Sequence, residues 1–98
     1  MAFRHIGLLT LRPDTGPDSA DAILSGLAAL AHLVPGVESV QAARDAGLKD
    51  GNADIHFEVA FTDEAAWRAY QVHPAHLALV QQHIAPAITA KAFAQVRG

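Results

Sequence analysis

Three side chains able to exchange protons, Tyr70, His73 and His76, fall in the run Tyr70-Gln71-Val72-His73-Pro74-Ala75-His76. A neutral imidazole beside a phenol is the pairing that deprotonation of a carbon acid needs: a base near neutral pH and an acid or orienting donor. Pro74 organises the run. It disfavours the αR region for His73, so a helix arriving from Glu64 ends or kinks there. It also suits the first turn of a new helix, where its missing N–H costs nothing. His76 then lies near the positive end of that helix, where the macrodipole disfavours the imidazolium and keeps a neutral base. The competing expectation is purely structural: a corner between helices, locked by His73 or His76 hydrogen-bonded to the Tyr70 hydroxyl and a backbone carbonyl.

The elements that must position this run follow from apolar spacing. Phe3 to Leu11 alternates as a first strand, with Phe3, His5, Gly7, Leu9 and Leu11 on one side and Arg4, Ile6, Leu8 and Thr10 on the other. After a Pro- and Gly-rich loop, Asp18 or Ser19 is expected to cap a helix that runs to about Leu33, with Ile23, Leu27, Leu30 and Val34 as its stripe. Pro35-Gly36 ends it. A weaker second strand runs from Val37 to about Arg44, with Val37 and Val40 on opposite sides. A polar loop leads to the strongest strand, Ala53 to Phe61, whose residues Ile55, Phe57, Val59 and Phe61 form a clean apolar face. Thr62-Asp63 caps a helix from Glu64 to about Val72, with Trp67 and Tyr70 three apart on one side. Beyond Pro74 a further helix extends through Leu77 to Ile84, and Ile88 to Arg97 closes the chain as a strand. His5 is in phase with Leu9 and should look into the same sheet–helix space as Ile55. His56 and Glu58 face the other way.

The order β-α-β-β-α-β, with the second helix broken in two, is the split βαβ, ferredoxin-like arrangement: an α+β fold with a four-stranded antiparallel sheet and its helices on one face. The other face has no helix of its own and still carries apolar residues. A homodimer is therefore expected, with His56, Glu58 and alternate residues of Ile88 to Val96 buried against a second copy. No repeat or linker interrupts the chain, and residues 1–98 read as a single domain.

Arg4-His5-Ile6, Val34-Pro35-Gly36-Val37, Asp54-Ile55 leading to Phe61, and the Tyr70 to His76 run together resemble the Dabb family, the stress-responsive dimeric α+β barrel domain. The resemblance spans Phe3 to about Val96, and its Tyr-x-x-His-Pro-x-His element is the specific part. It implies a dimeric α/β barrel made of two face-to-face sheets. It also brings in a plant branch of polyketide cyclases, the olivetolic acid type. There a Tyr and a His matching Tyr70 and His76 act on the substrate, and His5 matches another pocket residue. This chain has Ile55 where that branch has a third-strand histidine, and Leu and Ala where it has first-helix aromatics. The resemblance thus implies a protein without established activity whose pocket takes a small apolar ligand. His5, Ile55, Phe57, Tyr70, His73 and His76 are the candidates to line it. A cyclase- or isomerase-like enzyme using Tyr70 and His76, with His5 assisting, is the alternative.

Composition narrows the remaining classes. Of the 98 residues 51% are hydrophobic, but many of these are alanines, so a partner surface is expected to complete the core. The net charge is −3 and the 7 basic residues are scattered, which argues against a nucleic-acid partner. With no cysteine, thiolate metal sites and disulfides are excluded. His73, His76 and His83 lack the spacing of a metal site, and no metal or cofactor is expected. No serine sits in a nucleophile elbow. Without a leader-like start or a long apolar run, the chain reads as cytoplasmic, with no membrane partner. Trp67 is expected to be a packing anchor.

Overall fold

The computed structural model describes residues 2–98. The elements are β1 (Phe3–Leu11), α1 (Pro17–Leu33), β2 (Val37–Arg44), β3 (Ile55–Phe61), α2 (Glu64–Gln71), α3 (Pro74–Leu79), a π-helical turn (Val80–Ile84) and β4 (Ile88–Arg97). The strands form one antiparallel sheet in the order β2-β3-β1-β4. This is the ferredoxin-like α+β fold expected from the alternation.

The core lies between this sheet and the helices. Leu9 from β1, Ile55, Val59 and Phe61 from β3, Ile23, Leu27 and Leu30 from α1, and Tyr70 from α2 are its largest fully buried side chains. The stripe of α1 is the one its spacing set, but its start is not. Gly16 is the N-cap, without a side-chain cap bond, and Pro17 opens the helix. A proline at the first position has its φ already set for a helix, so the helix starts ahead of Asp18 and Ser19, which lie inside it rather than capping it. For α2 the cap is as expected: Asp63 accepts from the Ala66 N–H at 2.8 Å.

Two irregularities shift the expected faces. The register of β2 against β3 slips between Val37 and Ser39. The extra residue re-phases the strand, so Val37, Val40 and Ala42 all pack against the core. The register of β1 against β4 likewise shifts between Thr10 and Leu11, which brings Ile88 opposite Leu11 on the helix side. Of the β4 residues expected on the open face, Ala90, Ala92, Ala94 and Val96 therefore lie there, beside Leu8 and Ile6, and Ile88 does not.

The helix after Pro74 also differs from simple continuation. It starts at Pro74 with His73 as N-cap, then widens into the π-helical turn, where Ala85 N–H donates to the Val80 carbonyl at 2.8 Å. Such turns are rare and often lie at functional sites. No helix of the described residues is long and apolar enough to cross a membrane.

Candidate functional site

A cavity of about 610 Å³ opens between the β1–β4 side of the sheet and the helical segments α2, α3 and the π-helical turn. Its size is that of a small-molecule pocket. The sheet supplies the floor. On the helix side, β1 presents His5, Gly7 and Leu9; β3 places Phe57 opposite Gly7, and β4 places Phe93 on its other flank. The rings of Phe57 and Phe93 lie 6.2 Å apart, centre to centre. Gly7 is what permits this floor: a Cβ there would run into the Phe57 ring.

His5 stands at the centre of the aromatic wall. Its ring is 5.3 Å from Phe93, 5.6 Å from Phe57, 6.2 Å from Tyr70 and 6.3 Å from Trp67. The amide nitrogen of Gln95 lies 3.0 Å from His5 Nδ1. An amide nitrogen only donates, so Nδ1 accepts and the neutral ring carries its proton on Nε2. Burial lowers the His5 pKa to about 4, and the charge of His76 adds to the effect.

The helices form the roof. Tyr70 is 1% exposed, meets Phe61 edge-on at 5.1 Å and is overlain by His76 at 4.2 Å. Burial pushes the phenol pKa up, so Tyr70 keeps its proton. His76 stands in the first turn of α3. Its pKa is lowered mainly by burial; the Gln71 backbone opposes the shift and His73 adds to it. The expected neutral imidazole is present, but desolvation rather than a helix dipole is its chief cause, α3 being one short helix. His76 Nδ1 and Trp67 Nε1 are both buried without a hydrogen-bond partner. At neutral pH the wall therefore offers uncharged imidazoles, a phenol and an indole N–H. The arrangement can accept a proton at His76 and donate hydrogen bonds from Trp67 and Tyr70.

Of the candidates named from sequence, His5, Phe57, Tyr70 and His76 line the cavity, whereas Ile55 and His73 do not. Ile55 faces the helices as its alternation required, but it lies at the far end of β3, opposite Leu9, and is 1% exposed in the core. His73 caps its own helix, its Nδ1 accepting from the Ala75 N–H at 3.1 Å. The lining also contains Trp67, Lys91, Phe93 and Gln95. Trp67 does pack, against Phe3 at 5.4 Å, yet it is a cavity wall as well. The β4 residues were legible as one alternating side; only the pairing with β1 shows that this side faces His5. Among the described residues no group of three His, Cys, Asp or Glu is placed to hold a metal ion.

Residues 3–94 match the family model of the stress responsive A/B barrel domain, Dabb. The chain belongs to the Dabb family. A dimeric ferredoxin-like protein of unknown function from Thermobifida fusca is 30% identical, with 98% of this chain and 90% of that one covered and a TM-score of 0.87. A Dabb family protein with a ferredoxin-like fold from Mesorhizobium loti is 22% identical, with 99% and 96% covered and a TM-score of 0.81. The hydroxynitrile lyase of Passiflora edulis shares the fold at 16% identity, with 97% and 91% covered and a TM-score of 0.84. No curated protein matches the chain. Membership in the family fixes no specific activity, since relatives such as the T. fusca protein are themselves of unknown function.

Proposed function

We propose that this Dabb protein binds a small, mostly apolar molecule in the sheet–helix cavity and works as a homodimer closed through the open sheet face. The observation that carries the binding reading is the cavity of about 610 Å³ itself, two of whose lining side chains, Trp67 and His76, each keep a buried polar atom, Nε1 and Nδ1, without a hydrogen-bond partner. Buried polar groups are normally satisfied, and a ligand oxygen is the partner that an indole N–H in an apolar wall suits. The dimer reading rests on the open face, where Leu8 is 43% exposed among Ile6, Ala92 and Ala94, and on relatives described as dimeric.

The test is a screen of small aromatic compounds by ligand-observed NMR, repeated on Ile88→Trp, which fills the cavity from β4. Compounds that bind the native protein and not the filled variant support the reading. Binding that persists in the filled variant, or no binding at all, overturns it.

A second reading has its own support. His76 is uncharged with a free Nδ1, which is what a general base requires, and Tyr70 stacks against it as a protonated donor. The cavity is then the site of a cyclase- or isomerase-like proton transfer on a carbon acid. The lyase from Passiflora edulis makes hydroxynitriles one set of compounds to test. If a substrate is found, His76→Ala should lower turnover roughly 10²–10⁴-fold while leaving the fold in place.

A further inference from the structure

We propose that the cavity selects a small monoanion, an apolar body bearing one carboxylate, and that Lys91 at the rim makes the selection. This rests on the cavity being a binding site at all. Lys91 is the one permanently charged side chain in the lining, and no aspartate or glutamate is among the lining residues. The absence of acid is notable in a chain with 10 acidic and 7 basic residues. The position is also set by the fold: Lys91 pairs with Leu9 in register, so it projects to the helix side of edge strand β4.

Lys91 is unspent. Arg4, Arg44, Arg68 and Arg97 each hold a carboxylate, whereas Lys91 has no ion-pair partner among the described residues. Its ammonium instead rests 5.8 Å from the centre of the Phe93 ring, and Phe93 is 49% exposed at the cavity edge. A cation held over a half-exposed ring remains available to a ligand anion.

The depth of the groups orients the ligand. A carboxylate at the inner end would sit among neutral imidazoles and a phenol, desolvated and without a counter-charge, which is costly. At the rim it stays partly hydrated and meets Lys91. The inner end is matched to an uncharged oxygen, which the Trp67 indole N–H can satisfy. The rings of His5, Phe57 and Phe93 hold the apolar body between.

The experiment compares 2-naphthoate with its neutral analogue 2-naphthamide by titration calorimetry, on the native protein, Lys91→Gln and Lys91→Arg. Position 91 is exposed on an edge strand, so both variants should fold. Naphthoate is expected to bind about 3- to 10-fold tighter than the amide to the native protein, as for a rim ion pair. The preference should vanish in Lys91→Gln, return in Lys91→Arg and shrink with added salt. Equal or tighter binding of the amide to the native protein overturns the anion selection and leaves the binding site standing. A preference that survives Lys91→Gln removes Lys91 from the role. Failure of both compounds to bind overturns the binding site together with its selectivity.

Discussion

The His76 imidazole lies over the Tyr70 ring, the two centres 4.2 Å apart and the planes 35° from parallel. This ring-on-ring contact buries one face of each. Because it is a stacking contact, Tyr70 is held by its ring, between His76 and Phe61, more than by its hydroxyl. Tyr70→Phe is therefore expected to change stability by less than about 1 kcal/mol, and Tyr70→Ala to cost about 3–5 kcal/mol. Urea unfolding of the two variants checks the contrast; equal losses would mean that the hydroxyl carries the corner.

Stability should fall with acid because of His5. Its native pKa is about 4 against 6.5 for the free side chain, so below about pH 6.5 the unfolded chain takes up a proton that the native protein refuses. The unfolded state then binds more protons, and stability present above pH 6.5 is lost as the pH falls toward 4. One side of the ring faces the open cavity, so solvent screening reduces the effect, and a loss of about 2 kcal/mol from this group is expected. His76 shifts in the same direction. Urea midpoints across this range should drop steadily, and His5→Phe should flatten the slope; an unchanged slope in that variant contradicts the assignment.

Gly7 should not tolerate a side chain. Gly7→Ala drives a methyl group into the Phe57 ring, which lines the cavity. A destabilisation of about 1–3 kcal/mol is expected from the overpacking, together with weaker binding of any ligand the native cavity holds. Wild-type stability in this variant would show that Phe57 has room to move.

The open sheet face gives a separate test. Leu8→Asp places a charge in the middle of the surface formed by Ile6, Ala92 and Ala94 and should not disturb the core, since Leu8 is exposed in the single chain. Sedimentation is expected to show a dimer for the native protein and a 10.3 kDa monomer for the variant. A native monomer at micromolar concentration, or a dimeric variant, rules this interface out.

Much of this fold was legible because β3 alternates cleanly and because Pro74 leaves the chain few choices. Ile55, Phe57, Val59 and Phe61 could only form a buried face, and a proline after His73 had to end one helix and open the next. What periodicity could not give was phase across strands. The bulges near Glu38 and Thr89 each add a residue to one strand only, moving Val40 and Ile88 to the helix side against a strict two-residue alternation. The site was read for the same reason in part. His5, Tyr70 and His76 come together at the cavity because each sits on an element whose face was clear. Ile55 shares the face of Phe57 yet lies a full four-residue step from His5 in register, a distance along the strand that face assignment alone does not reveal. Lys91, Phe93 and Gln95 needed the β1–β4 pairing to be seen as part of the wall. Spacing alone makes Trp67 a packing anchor, and its indole nitrogen gains meaning only from its burial without a partner.

That nitrogen also provides the most direct measurement. The chain contains one tryptophan, so a ¹H–¹⁵N spectrum shows a single indole N–H peak, from the atom proposed to meet the ligand. Titration with 2-naphthamide, whose carbonyl oxygen can accept from that N–H, is expected to move the Trp67 peak saturably in the native protein and to leave it still in Ile88→Trp, whose spectrum carries a second indole peak from the new side chain. A Trp67 peak that stays fixed while the amide is added to its solubility limit, or that moves equally in the filled variant, contradicts a binding site in this cavity.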